Sequence, residues 1–204
     1  MAIMDWFWRP KTSPNTTMIS EIRAPSVSVT SATPDMQASE PSLRTEEVQP
    51  VITRVANCTF CNIIERKIPA EIVFENDELM AFRDISPSAQ QHLLIVPKTH
   101  IGNISHLGCK DAPLLERMEH VGEQLLSRFE QKRFGFHSPP FYTVDHLHLH
   151  ALGLPFINRF RAAKYMEGSR WFITNEIMVE SLRKLGPNRT WTYQILLKQQ
   201  KGGV

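Results

Sequence analysis

Between residues 55 and 186 the spacing of apolar and polar positions changes several times, and each change predicts an element. Phe60, Ile63 and Ile64 fall one helical turn apart, which gives a short helix closed by Pro69. Ile72-Val73-Phe74 and Leu79-Met80-Ala81-Phe82 flank the turn signal Asn76-Asp77 and read as a β-hairpin. His92-Leu93-Leu94-Ile95-Val96 is a continuous apolar run closed by Pro97, the pattern of a strand buried on both faces. Over residues 112–133, Leu114, Leu115, Met118, Val121, Leu125, Leu126 and Phe129 recur at steps of three and four with charged residues between them, predicting one long amphipathic helix. Phe134 to His137 and His146 to Leu152 read as strands separated by Ser138-Pro139-Pro140. Thr174 is suited to cap a second helix with Glu176 in its first turn, ending at Gly186 and Pro187. Strands and helices that do not alternate regularly predict an α+β fold, an antiparallel sheet with one long helix and short helices packed on one side.

Composition divides the chain near residue 55. The first 50 residues hold 7 Ser, 6 Thr and 6 Pro, no Gly, Cys or His, and only Trp6, Phe7 and Trp8 as aromatics. Such a stretch buries too little apolar surface to offset the entropy of ordering it. Residues 1–55 therefore read as a disordered tail, 56–165 as the domain, 166–186 as a strand and helix packed on it, and 187–204 as a polar tail. The Trp6-Phe7-Trp8 cluster would make a docking motif or a membrane-surface anchor, but no amphipathic stretch of helical length surrounds it. With 23 Lys and Arg against 21 Asp and Glu, the formal charge is only +2, which argues against nucleic acid as a partner held by charge. No run reaches the roughly 18 apolar residues of a membrane span, and the first residues lack the basic-then-apolar order of a signal peptide. The expectation is a soluble protein of the cytoplasm or nucleus with no membrane partner. Three cysteines cannot form a paired disulfide framework, and the Cys58-x-x-Cys61 spacing suggests metal or redox chemistry in a reducing compartment.

The chemistry concentrates in Asp145-His146-Leu147-His148-Leu149-His150-Ala151-Leu152. On a strand, successive side chains point to opposite faces, so His146, His148 and His150 share one face while Leu147, Leu149 and Ala151 enter the core. Three imidazolium groups at that spacing would repel, so some must stay neutral or share protons. The strand alone leaves two readings equally open: a metal bound by imidazoles, or a nucleophilic imidazole whose neighbours handle protons and phosphate charge.

His146-Leu147-His148-Leu149-His150-Ala151-Leu152 resembles the His-φ-His-φ-His-φ-φ signature of the histidine-triad (HIT) nucleotide hydrolases and transferases. Cys58-Thr59-Phe60-Cys61-Asn62-Ile63-Ile64, Ile68-Pro69-Ala70, Ala81-Phe82-Arg83-Asp84-Ile85-Ser86-Pro87 and the run from His92 to Ile101 are similar to that family's segments in the same order. The similarity covers about residues 57–155 and continues more weakly to 185. Gly135-Phe136-His137-x-Pro139-Pro140-Phe141 and Trp171-Phe172-Ile173-Thr174 are most similar to the branch of adenosine 5′-monophosphoramidases.

The resemblance implies that His148 attacks the α-phosphorus to give a nucleotidyl-histidine that water hydrolyses, with a backbone carbonyl holding its other nitrogen. It implies that His150 and His92 offset phosphate charge and help protonate the departing amine. Asp84 would accept the ribose hydroxyls, and Phe60, Ile63, Phe82 and Ile85 would wall the base pocket, although apolar residues at such positions also serve ordinary core packing. The loop before the triad departs from the best-known members, having Phe141-Tyr142-Thr143-Val144-Asp145 in place of a Gly-rich stretch with Gln-Ser. Thr143 keeps a hydroxyl where the Ser would bind phosphate, while the leaving-group preference loses its usual markers. His137 reads as an exposed strand residue or an extra ligand, the former favoured, and Cys109 as a spare thiol.

Some members of the family bind zinc through residues that correspond to Cys58, Cys61, His100 and His146. Two thiolates and two imidazoles suit a tetrahedral structural ion, against the alternative of buried thiols and hydrogen-bonded histidines. No cofactor is expected for catalysis. By analogy the chain would form a homodimer through the helix and a sheet edge and would take an AMP-type purine nucleotide as substrate. Two other functions stay in view: a nucleotide-binding scaffold with little turnover, and removal of AMP from nucleic-acid 5′ ends as in aprataxin.

Overall fold

The computed structural model describes residues 53–192 and 194. The readings made for residues 1–52, the Trp6-Phe7-Trp8 cluster among them, and for 195–204 lie outside the described residues. In chain order the elements are α1 (Thr59–Ile64), β1 (Ile72–Glu75), β2 (Leu79–Arg83), β3 (Ala89–Pro97), α2 (Ala112–Leu125), β4 (Lys132–His137), β5 (Leu149–Phe156), α3 (Arg159–Ala163), β6 (Phe172–Thr174) and α4 (Asn175–Arg183). The six strands form one sheet in the order β1-β2-β3-β5-β4-β6, and every neighbouring pair is antiparallel. This is the predicted α+β class.

Strand alternation sorts side chains onto the two faces. Leu79, Ala81, Leu93, Ile95, Phe134, Phe136, Leu149 and Ala151 point to one side, where Leu115, Met118 and Leu126 of α2 and its C-terminal turn, and Met178 and Leu182 of α4, complete the main core. Met80, Phe82, Leu94 and Val96 point to the other side, where Phe60, Cys61, Ile63 and Ile64 of α1 cover them. Burying a side chain of the size of Leu115 or Met118 contributes roughly 1.5–3 kcal/mol relative to exposure. The expectation of helices on one side is therefore corrected. The three-residue apolar run of α1 is too short to stand alone, and it packs on the opposite face from α2 and α4, beside the histidines.

Several predicted ends move, each for a local reason. Helix α1 stops at Ile64 because Arg66 adopts a left-handed conformation with φ of 63°, three residues before Pro69. Helix α2 ends at Leu125, not 133. Leu126 and Phe129 extend the apolar period only because they sit in tight turns, with Phe129 N–H donating to the Leu126 carbonyl, and both still face the core. Helix α4 has the predicted cap, since the Thr174 hydroxyl accepts from Ile177 N–H at 3.5 Å, and stops at Arg183 ahead of Gly186.

The domain also exceeds its predicted limits at both ends. Thr53, ahead of residue 56, accepts a hydrogen bond from His100 N–H at 2.9 Å. At the other end, Trp191 is fully buried in the main core and its backbone N–H donates to the Leu107 carbonyl at 2.7 Å, so the segment read as a polar tail from 187 begins as core. The outer edge of β4 pairs with β6, and α4 packs along α2. Among the described residues β1 and β6 are the free edges of the sheet. Among the described residues no helix is long and apolar enough to cross a membrane.

Candidate active site

The triad lies where a loop becomes β5. Leu149 is the first residue of the strand, so His146 and His148 precede the ladder and only His150 is within it. The alternation still holds through this lead-in: Leu147, Leu149 and Ala151 enter the main core, and Leu147 N–H donates to the Ile101 carbonyl at 2.8 Å, which keeps the chain extended. The three imidazoles do not form one pool, however. His146 turns toward Cys58, Cys61 and His100, His150 turns toward His92, and His148 stands between them.

Hydrogen bonds fix the tautomer of each ring. His148 Nδ1–H donates to the His146 carbonyl at 2.6 Å, which leaves the Nε2 lone pair free. The Phe60 ring meets His148 edge-on at 5.2 Å between centroids and holds its orientation. His92 and His150 come from paired strands, with Leu94 opposite His150 and Leu152 opposite His92, so the two imidazoles are diagonal neighbours on one face. His92 Nδ1 accepts from Ser88 N–H at 3.3 Å, so its proton sits on Nε2 and is donated to His150 Nδ1 at 2.9 Å. The proton of His150 must then be on Nε2, and this buried atom has no hydrogen-bond partner. A buried donor without a partner costs about 1–3 kcal/mol, which marks it as a group that a substrate would satisfy.

Burial keeps all of these rings neutral. It pushes His92 down to about 4, opposed by the nearby Asp84 carboxylate, and moves His148 and His150 below the usual imidazole range. Unfolded, these groups would titrate near 6.5, so the folded chain gives up proton binding. Stability from His92 is complete above about pH 6.5 and is lost as pH falls toward 4, at up to about 1.4 kcal/mol per pH unit, and His150, also held below the usual imidazole range by burial, acts in the same direction. The melting temperature is expected to be level from pH 8 to 7 and to drop steadily between pH 6.5 and 5. A level curve down to pH 5 would mean that the imidazoles are not held neutral.

A cavity of about 760 Å³ opens onto His148 and His150, within the range of small-molecule sites. Phe60, Ile63, Phe82 and Ile85, to which the resemblance gives the base pocket, all line this cavity. The first three are also packed in the core under α1, whereas Ile85 is 99% exposed and stands at the rim, not in a wall. Asp84 and the exposed Thr143 line the same cavity. Asp84 Oδ1 accepts from Ser86 N–H at 2.7 Å, and its Oδ2 lies 3.6 Å from His92 Nδ1.

His137 is corrected from an exposed strand residue to a part of the site. Its Nδ1–H donates to the Trp171 carbonyl at 3.1 Å, and its ring stands edge-on to His150 at 4.7 Å. Gly135 makes room for this layer: a Cβ there would come 2.4 Å from the Ile173 carbonyl and 2.5 Å from the Phe172 ring. Tyr165, buried against His92, His137 and His150, escaped the sequence reading altogether, as did Arg161, which lines the cavity and donates to the Ser86 carbonyl and hydroxyl at 3.2 and 2.9 Å. Neither residue belongs to a motif or a spacing that could have singled it out.

Behind His148 lies a second cluster. One donor atom from each of Cys58, Cys61, His100 and His146 falls within 4.8 Å of the others. Cys58 Sγ is 3.3 Å from His146 Nδ1, Cys61 Sγ is 3.7 Å from the same atom, and Cys61 Sγ is 3.4 Å from His100 Nδ1. Zinc bonds of roughly 2.3 Å to sulfur and 2.0 Å to nitrogen place tetrahedral ligand atoms about 3.3–3.8 Å apart, so the residues present fit that ion. His146 Nε2–H donates to the Pro97 carbonyl at 2.9 Å, which turns the Nδ1 lone pair to the thiols, and burial holds this ring neutral with a value of about 4.

An antiparallel sheet bearing alternate histidines at the mouth of such a cavity defines a histidine-triad domain. The family model described as "Scavenger mRNA decapping enzyme C-term binding" matches residues 57–166, and the chain belongs to this family within the histidine-triad (HIT) superfamily. It is 39% identical over 135 residues to the bifunctional adenosine 5′-phosphosulfate phosphorylase/adenylylsulfatase HINT4 of Arabidopsis thaliana, covering 63% of this chain and 92% of that one. It is 36% identical over 140 residues to the adenosine 5′-monophosphoramidase HINT3 of Mus musculus, covering 63% and 83%. Among solved structures, a HIT family hydrolase from Clostridium thermocellum is 31% identical, with a TM-score of 0.47 over 51% of this chain and 96% of that one. Strand β6, helix α4 and Trp191 lie beyond the residues that the family model matches.

Proposed function

We propose that this chain is a nucleotide hydrolase that cleaves the P–N bond of adenosine 5′-phosphoramidates through a nucleotidyl-histidine on His148. The observation that carries the reading is the pairing, at one cavity, of a free lone pair on His148 Nε2 with an unpartnered N–H on His150 Nε2. One is a nucleophile and the other an acid, and P–N cleavage by this route needs both.

His148 Nε2 attacks the α-phosphorus while the P–N bond breaks and the leaving nitrogen takes the Nε2 proton of His150 from a His92–His150 pair that carries one extra proton once the phosphate is bound, so that both rings end neutral. Water then attacks the phosphorus and gives its proton back to His150 Nε2, and the electron pair of the broken bond returns to His148. Phe60, Ile63 and Phe82 present apolar surface to the base, Asp84 accepts from the ribose hydroxyls, and Thr143 offers a hydroxyl to the phosphate. Cys58, Cys61, His100 and His146 would hold a structural zinc, which would brace the segment before α1 against the triad lead-in without leaving a coordination position for substrate. The function named for the Mus musculus relative supports the P–N assignment.

A specific observation favours a second reading of the leaving group. Arg161 and Lys164 line the cavity, and Lys164 has no ion-pair partner among the described residues. Such a lining suits an acidic leaving group, and the Arabidopsis relative is named for adenosine 5′-phosphosulfate. Turnover of an AMP-alkylamine conjugate and of adenosine 5′-phosphosulfate by the purified chain separates the two. A higher kcat/KM on the amine conjugate supports P–N hydrolysis; release of AMP from the phosphosulfate alone would overturn it.

A further inference from the structure

We propose that Asp84 is also a positioning residue for the chemical step, as the outer end of a relay running from Asp84 through His92 to His150 that supplies the proton taken by the leaving amine. This rests on the P–N reading above and gives Asp84 a role beyond the ribose.

The geometry around His92 Nδ1 carries the inference. The atom lies between a donor, Ser88 N–H at 3.3 Å, and an acceptor, Asp84 Oδ2 at 3.6 Å. A neutral His92 accepts from Ser88. A protonated His92 instead donates to Asp84, after a shift of a few tenths of an ångström, while its Nε2–H stays bonded to His150 Nδ1 at 2.9 Å. The side chain of Asp84 is 17% exposed, so its charge is poorly screened. The other groups that act on His92 oppose a proton: His148 just ahead of β5, His137 at the end of β4 and Arg161 of α3, with Tyr165 packed edge-on as a neutral ring. Among these groups Asp84 is the carboxylate, and it is what allows the pair to take up a proton when a phosphate arrives.

The relay also solves a chemical problem. A neutral imidazole that gave up its only N–H would become an imidazolate, far too basic to form. With one extra proton on the pair, His150 Nε2–H passes to the leaving nitrogen as the P–N bond breaks, His92 Nε2–H passes to His150 Nδ1, and both rings end neutral. His92 then keeps Nδ1–H against Asp84. When water attacks the nucleotidyl-His148, its proton lands on His150 Nε2 and the Nδ1 proton returns to His92, which restores the starting cation. Sulfate as a leaving group would need no proton and would not call on the relay.

The test separates this role from ribose binding by removing the ribose hydroxyls. Wild type and Asp84→Asn are compared on the 2′,3′-dideoxyadenosine 5′-phosphoramidate of an alkylamine and on the matching 2′,3′-dideoxy phosphosulfate, with thermal melting as the check on folding. On the amine substrate kcat is expected to fall by about tenfold or more in the variant. The loss should exceed that on the phosphosulfate, and the alkaline limb of the kcat profile should move to lower pH as the pair loses its counter-charge. Equal kcat for the two proteins on the dideoxy amine substrate would confine Asp84 to the ribose and overturn the relay, as would an equal loss with both leaving groups. A wild-type chain that turns over neither the ribose nor the dideoxy amine conjugate removes the P–N reading itself, and the relay with it.

Discussion

Replacement of His148 by Asn is expected to reduce hydrolysis by about four powers of ten or more while nucleotide binding persists. The Asn side chain can still reach the His146 carbonyl that now fixes the ring at 2.6 Å, so the lead-in to β5 should keep its path. What disappears is the Nε2 lone pair that His148 presents to the cavity. His150 cannot substitute, because its Nδ1 is taken by His92 and its Nε2 carries the proton. Steady-state kcat and equilibrium binding of AMP, measured on the same preparation, decide the matter. Activity within tenfold of wild type would take the nucleophilic role away from His148.

Zinc, if held by the four donors, should act on stability and not on rate. The purified chain, prepared without a histidine tag, is expected to carry one zinc per molecule, and Cys58→Ser, Cys61→Ser to carry none. Chelation should lower the melting temperature, since the binding free energy of a structural ion is also folding free energy. Turnover should survive at temperatures where the chain stays folded, because His148 faces the cavity and His146 faces the thiols. Wild-type protein free of zinc would discard the site. Folded protein that loses its activity on chelation would mean that the ion takes part in catalysis and that the division of roles along the triad is wrong.

Two features of the chain made much of the site legible from residues alone. The two-residue period around Leu147, Leu149 and Ala151 is strong enough to set the direction of the histidines even where the ladder has not begun, and Cys58-x-x-Cys61 announced the thiol cluster. The periodicity that revealed α2 also overran it, because Leu126 and Phe129 face the same core from a turn, and spacing does not distinguish a packed turn from one more helical turn. His137 and Tyr165 were beyond reach for a different reason. Their environment is made by β6 lying along β4 and by α3 folding back over β5, contacts across the sheet that leave no local signature. Asp84 was found as a ribose ligand through the resemblance, but its 3.6 Å approach to His92 depends on how the β2–β3 connection turns.

The pairing of β6 with β4 and of α4 with α2 ties the last described segments to the cavity. The lining of the cavity runs from Thr59 at the start of α1 to Trp171, and the strand following Trp171 pairs with β4 behind it. Cutting the chain before Trp171 would therefore uncover the edge of β4 and take away the carbonyl that accepts from His137 Nδ1.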